Sequence, residues 1–139
     1  MSARIGGLAI AAALLAGCGV DRHDSASSVC TNGDGALDQA AFVFVQSPRS
    51  GERVLSDFRV TGCSSTFEAN LNWRLRGRNG RILASGLTQG GSLSPGPFAF
   101  NVRYPIVERQ VGQLEVYEPQ VTDEGFPSVK NVLPLVLEP

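Results

Sequence analysis

The chain has 139 residues, of which 42% are apolar and 18% charged, with a formal net charge of −1. That near-neutral balance supplies no general basic field for a nucleic-acid backbone, and the length allows one ordinary domain with short appendages rather than two. Arginine outnumbers lysine eleven to one, which fits a GC-rich genome as well as selection for bidentate anion contacts, so no function is read from it.

Arg4 is the sole early charge, and Ile5 to Gly17 is an uncharged run of Ala, Leu, Ile and Gly. This is the layout of a secretory signal, shorter than the roughly 20 apolar residues that a bilayer-spanning helix needs. Leu15-Ala16-Gly17-Cys18 resembles the bacterial lipobox, in which small residues fit the lipoprotein signal peptidase and the following thiol is diacylated. The expected organisation is a signal peptide over 1–17, a lipidated Cys18 with a flexible tether over 18–40, and a folded domain over 41–139. The alternative is an ordinary cleavage nearby, which leaves Cys18 as an unpaired thiol in an oxidising compartment. Gly19, rather than Asp, follows the cysteine, and this resembles a substrate released to the periplasmic side of the outer membrane rather than one kept at the inner membrane.

From Gly19 to about Gln39 the chain is rich in Asp, Ser, Gly, Ala and Asn and nearly lacks large apolar residues. It cannot bury enough surface to offset its ordering entropy, so it reads as a tether, and His23, the only histidine, lies in it. With Cys18 lipidated, Cys30 and Cys63 remain, an even number that suggests a bridge closing a loop of some thirty residues, worth about 3 to 4 kcal/mol in the chain-entropy treatment. Two buried free thiols are the alternative. Asn32-Gly33-Asp34-Gly35-Ala36-Leu37-Asp38 has the spacing of the middle of a calcium loop. Its first ligand position falls on Cys30 and its twelfth on Ala41, so the leading carboxylate and the bidentate Glu are missing, and a polar turn is expected there instead.

From Ala41 onward, short apolar runs of period two alternate with clusters of Gly, Pro, Asn and Ser, the pattern of strands and turns. Ala41 to Gln46 is a strand ended by Ser47-Pro48, and Phe58 to Gly62 is a second. Phe67 to Arg76 places Phe67, Ala69, Leu71, Trp73 and Leu75 on one face and Glu68, Asn70, Asn72, Arg74 and Arg76 on the other, a half-buried antiparallel strand. Gly77-Arg78-Asn79-Gly80 supplies a tight turn to a partner strand over Arg81 to Ser85. After a loop from Thr88 to Pro97, strands follow over Phe98 to Tyr104, Gln113 to Tyr117 and Lys130 to Leu137, the last with Pro134 at an edge or bulge. About seven short strands in a hundred residues point to an all-β, immunoglobulin-like antiparallel sandwich, with a small Greek-key barrel as the alternative.

Val45-Gln46-Ser47-Pro48, Gly51-Glu52-Arg53-Val54, Phe58-Arg59-Val60-Thr61-Gly62 and Thr66-Phe67-Glu68-Ala69 resemble the opening of the bacterial spore germination immunoglobulin-like domain family. Gly80-Arg81-Ile82-Leu83-Ala84-Ser85-Gly86, Pro97-Phe98-Ala99-Phe100 and Leu114-Glu115-Val116-Tyr117-Glu118 continue it in order, over about Phe42 to Leu137. Cys63 and a shortened charged turn at Thr122 to Gly125 depart from the pattern. The resemblance implies an interaction or accessory module at the cell envelope and brings no catalytic residues.

No catalytic constellation is expected. The single histidine is in the tether, where no scaffold orients a base, and a zinc site is equally ill supplied. Of the acids Glu68, Glu115, Glu118 and Asp123, Glu68 and Glu118 read as structural hydrogen-bonding groups rather than a hydrolytic pair. Arg74, Arg76, Arg78 and Arg81 cluster on the outward side of one hairpin, with Arg103 on a neighbouring period-two position, as a candidate anion-binding face; the plainer reading is a solvated face with ion pairs to groups such as Glu68. The expected function is that of a cell-envelope lipoprotein presenting a non-enzymatic binding or scaffolding module, without cofactor or metal. Its expected partners are the membrane, through the lipid, and an envelope protein, glycan or lipid. The alternative is a structural or inhibitory accessory subunit of an envelope complex.

Overall fold

A computed structural model describes residues 30, 40–106, 108–119 and 129–139. The expected signal peptide, Cys18, His23, the Asn32–Asp38 turn and the charged turn at Thr122–Gly125 lie outside the described residues.

The described chain forms nine strands: β1 (Phe42–Ser47), β2 (Arg53–Val54), β3 (Phe58–Thr66), β4 (Asn70–Arg76), β5 (Ile82–Gln89), β6 (Gly91–Ser92), β7 (Gly96–Val102), β8 (Gln110–Tyr117) and β9 (Lys130–Leu137). One sheet has β3 between β1 and β7, with β6 added parallel to its end; the other runs β2-β9-β8-β4-β5. The long pairings are antiparallel, and the two-residue strands β2 and β6 make the parallel contacts. The expected immunoglobulin-like sandwich is what forms. No helix among the described residues is long and apolar enough to cross a membrane.

Alternation along each strand builds the core. Val43, Val45, Val60, Phe98 and Val102 face inward from the first sheet to meet Leu71, Trp73, Leu75, Leu114, Val116, Leu133, Leu135 and Leu137 from the second. Trp73 lies on an interior strand and stacks on Phe100, with ring centroids 4.8 Å apart and planes 8° from parallel, so these two rings join the sheets across the centre. Gly86, directly opposite Trp73 on β5, leaves room for the indole, because a Cβ there would overlap the ring.

The expected strand from Phe67 to Arg76 begins later. β3 runs on to Thr66, and residues 67–69 turn the chain from one sheet to the other, with Ala69 at a φ of 61°. Phe67 is therefore outside the core and 67% exposed. The expected loop from Thr88 to Pro97 is also shorter, because β5 reaches Gln89 and the chain crosses back at Gly90 into β6. Pro134 sits two positions before β9 meets its short β2 neighbour at Val136, so its missing N–H removes no ladder bond from that side.

The far corner is clasped by Tyr104, whose buried hydroxyl lies 2.7 Å from Val54 O and 2.9 Å from Glu138 O. Burial holds that phenol's pKa above its ordinary value. Ser56 completes the clasp, its hydroxyl donating to Tyr104 O at 3.0 Å and accepting from Tyr104 N at 3.1 Å.

Candidate functional site

Strand direction sorts the connections between two ends of the sandwich. The entry end carries the start of β1, the β3–β4 turn, the β5–β7 connection, the end of β8 and the start of β9. The far end carries the β1–β2 and β2–β3 connections, the β4–β5 turn, the β7–β8 segment and the C-terminus.

Cys30 is joined to Cys63, with Cα atoms 5.5 Å apart across a sequence separation of 33. On β3, Val60, Gly62 and Ser64 pair with inward residues of β1 and β7, so Cys63 lies on the outer face of that sheet, between Phe44 and Pro97. Cys30 is thus fixed to the outside of the central strand, three positions before Thr66 ends β3.

At the far end, the Gly77–Arg81 turn closes through Gly80 N donating to Gly77 O and Gly77 N to Arg81 O, both at 2.9 Å. Gly80 takes a φ of 77° there, a left-handed conformation that glycine adopts without steric cost. The turn is fastened to the start of β8: Arg78 N donates to Gln110 Oε1 at 3.2 Å, and the Arg78 guanidinium pairs with Glu108. Between the turn and the β7–β8 segment lies an open cleft of about 400 Å³, with Ile82, Leu83, Pro105 and Ile106 as its apolar lining and Arg81 and Glu108 among its polar groups. Arg81 has no ion pair among the described residues.

The five arginines of the candidate face divide into separate settings. Arg74 and Arg76 are on the outward face of β4, where Arg74 is the direct cross-strand partner of Glu115 on β8 and pairs with its carboxylate. The other Glu115 oxygen is 3.5 Å from Arg76 Nε, and the Arg74 guanidinium lies over the Tyr117 ring, 5.0 Å from its centroid. The hydrogen bond to Glu115 holds the Arg74 pKa above its ordinary value. Glu115, not Glu68, is therefore the anchoring acid, since Glu68 falls in the turn before β4 begins. Arg103 does not join the hairpin: it follows β7 of the opposite sheet and pairs with Asp57 at 3.1 Å. Arg78 and Arg81 alone belong to the hairpin turn itself.

Glu68, exposed in the β3–β4 turn, has no side-chain partner among the described residues, whereas three other acids have structural ones. Glu118 Oε1 accepts from Phe67 N at 2.8 Å, Glu52 Oε2 from Arg49 N at 2.7 Å, and Glu138 pairs with Arg109 at 2.8 Å, which holds the Arg109 pKa above its ordinary value. Among the described residues, no group of three or more His, Cys, Asp or Glu side chains is placed to hold a metal ion. Sequence reasoning passed over Glu108, Pro105 and Ile106. A period-two reading stops where a strand stops, and the cleft is made by an irregular segment folding beside a distant hairpin.

The model of the immunoglobulin-like domain of bacterial spore germination matches residues 42–124, more than half of the chain. The chain belongs to this family. The match stops short of Leu137, so β9, which completes the larger sheet of this spore germination immunoglobulin-like domain, lies beyond it. No curated protein matches the chain. Among solved structures, CopC from Methylosinus trichosporium OB3b is similar, with 16% identity, coverage of 72% of this chain and 95% of that one, and a TM-score of 0.47.

Proposed function

We propose that this chain is a lipid-anchored cell-envelope protein whose immunoglobulin-like domain is a non-enzymatic binding or scaffolding module. In this reading residues 1–17 are a cleaved signal, Cys18 carries the lipid, residues 18–40 are the tether, and the domain stands on the periplasmic side of the outer membrane. The observation that carries the reading is the polarity of the domain. The chain enters at one end and is stapled there through Cys30 and Cys63, while the hairpin turn and the cleft beside Arg81 occupy the opposite end. A module held at one end leaves the other free to meet a partner.

The cleft suits a ligand group that combines a negative charge with an apolar flank: Arg81 offers a guanidinium without an ion pair among the described residues, beside Ile82, Pro105 and Ile106. Glu108, already paired with Arg78, discourages a densely anionic polymer. This favours an envelope protein over an acidic glycan. In-cell crosslinking of the full-length protein, beside a Cys18→Ser version and an Arg81→Ser version, tests the reading. A discrete protein captured by the anchored chain and lost in both variants supports it. Capture that is equal in all three removes both the anchor and the cleft from the account.

A second reading, an accessory subunit of a fixed complex, draws on β5, the outer strand of the larger sheet. Leu87 and Ile82 on that strand are 78% and 48% exposed. Co-purification at fixed stoichiometry, abolished by Leu87→Lys but not by Arg81→Ser, is its distinguishing result.

A further inference from the structure

The entry end carries two apolar side chains that neither packing nor conformational preference explains. Phe67 in the β3–β4 turn is 67% exposed, and Leu93 in the β5–β7 connection is 74% exposed. They are held side by side: Leu93 N donates to Thr66 O at 3.0 Å, Ser92 Oγ donates to Phe67 O at 3.0 Å, and Phe67 N is bound by Glu118. Leu93 has a φ of 54°. That left-handed conformation favours glycine or asparagine, so a leucine there runs against local preference, and its exposure returns nothing to the core.

From the geometry we infer that Phe67 and Leu93 form a tip that inserts into the lipid surface to which the protein is anchored. The inference rests on the lipid anchor at Cys18 proposed above. Cys30 lies twelve positions after Cys18, over which chain statistics give a span of about 20 Å. Cys30 is in turn bonded to Cys63, close before the turn that carries Phe67. The tether therefore delivers the entry end to the membrane, and the apolar pair is what that end presents among the described residues. Glu68 beside Phe67 is exposed and acidic, so a zwitterionic surface suits the tip better than a strongly anionic one. Because the diacyl chain supplies retention, insertion of the tip sets orientation: it presses the entry end down and turns the far-end cleft away from the bilayer.

The test uses full-length lipidated protein reconstituted into phosphatidylcholine vesicles with or without brominated acyl chains, in the variants Phe67→Trp, Leu93→Trp and, at the far end, Leu55→Trp. Leu55 is 66% exposed, and the sole native tryptophan, Trp73, is buried and serves as the common background. All three new sites are exposed, so the fold is retained, as matching melting temperatures verify. The inference requires emission from the Phe67→Trp and Leu93→Trp variants to be roughly halved by brominated lipid, as fits insertion about 5–10 Å deep, with Leu55→Trp unchanged. Protein that floats with the vesicles but shows no quenching at either tip position overturns the tip and leaves the anchor standing. Protein that does not float overturns the anchor and the tip together. Equal quenching at Leu55→Trp means that the domain lies flat, and overturns the proposed orientation.

Discussion

Replacing the bridge by Cys30→Ala with Cys63→Ala removes the one covalent constraint between the entering chain and the sandwich. The bridge spans a sequence separation of 33, and the loop-closure relation then gives about 12.5 cal/mol/K of lost unfolded-state entropy, or about 3.7 kcal/mol at 25 °C. Both half-cystines are 4% exposed, so their replacement also removes buried contact and leaves the entropy figure as a floor. For a domain of this size, such a loss lowers the melting temperature by at least about 15 °C. Urea unfolding read by Trp73 emission is the assay, performed in a Cys18→Ser background so that no third thiol competes. The midpoint falls, and the denaturant slope rises slightly as the unfolded chain expands. A loss below about 1 kcal/mol, with the bridge verified in the parent, refutes the argument that the staple fixes the entry end.

Other substitutions probe the core, the clasp and the outer face. Tyr104→Phe leaves Val54 O and Glu138 O without their shared donor and costs about 1–2 kcal/mol by chemical denaturation. Because burial raises the folded-state pKa of Tyr104, its contribution is fully present below the ordinary value near 10 and is lost as pH rises through the raised one. The parent should therefore lose stability faster than Tyr104→Phe on titration into alkali, and parallel slopes would contradict the assignment. Gly86→Ala drives a methyl into the Trp73 ring, costs about 1–3 kcal/mol and shifts the tryptophan emission; an unchanged spectrum and melting point would show that the indole has room to move. Glu115→Gln removes the carboxylate shared by Arg74 and Arg76 and costs about 1 kcal/mol at low salt, less as salt rises. A loss unaffected by salt would place its role in packing rather than charge.

The strands were legible wherever a sheet face and the period-two pattern coincide. β9 begins and ends where its alternation does, and Phe98, Phe100, Val102 and Tyr104 all turn toward the core, although β7 itself ends at Val102, short of the expected Tyr104. The pattern misled at Phe67, because alternation cannot show where a chain leaves one sheet for the other; Ala69 in the left-handed region marks that corner, and alanine carries no sequence signal for it. β2 and β6 were missed because two-residue strands have no period. Of the candidate face, Arg74 and Arg76 were correctly turned outward, but their acid lies on β8, 41 positions from Arg74, a pairing fixed by topology rather than by neighbouring residues. Arg103 shares its alternation with no strand of the hairpin's sheet, and only the fold separates the two.

The central claim, a domain anchored through Cys18, is tested most directly by the intact mass of the protein extracted from the native membrane, with fragmentation of its N-terminus. The expected species is a chain that begins at Cys18, carries diacylglycerol on that sulfur and retains the Cys30–Cys63 bridge. A mature chain that begins elsewhere, or one with a free Cys18 thiol, would contradict it.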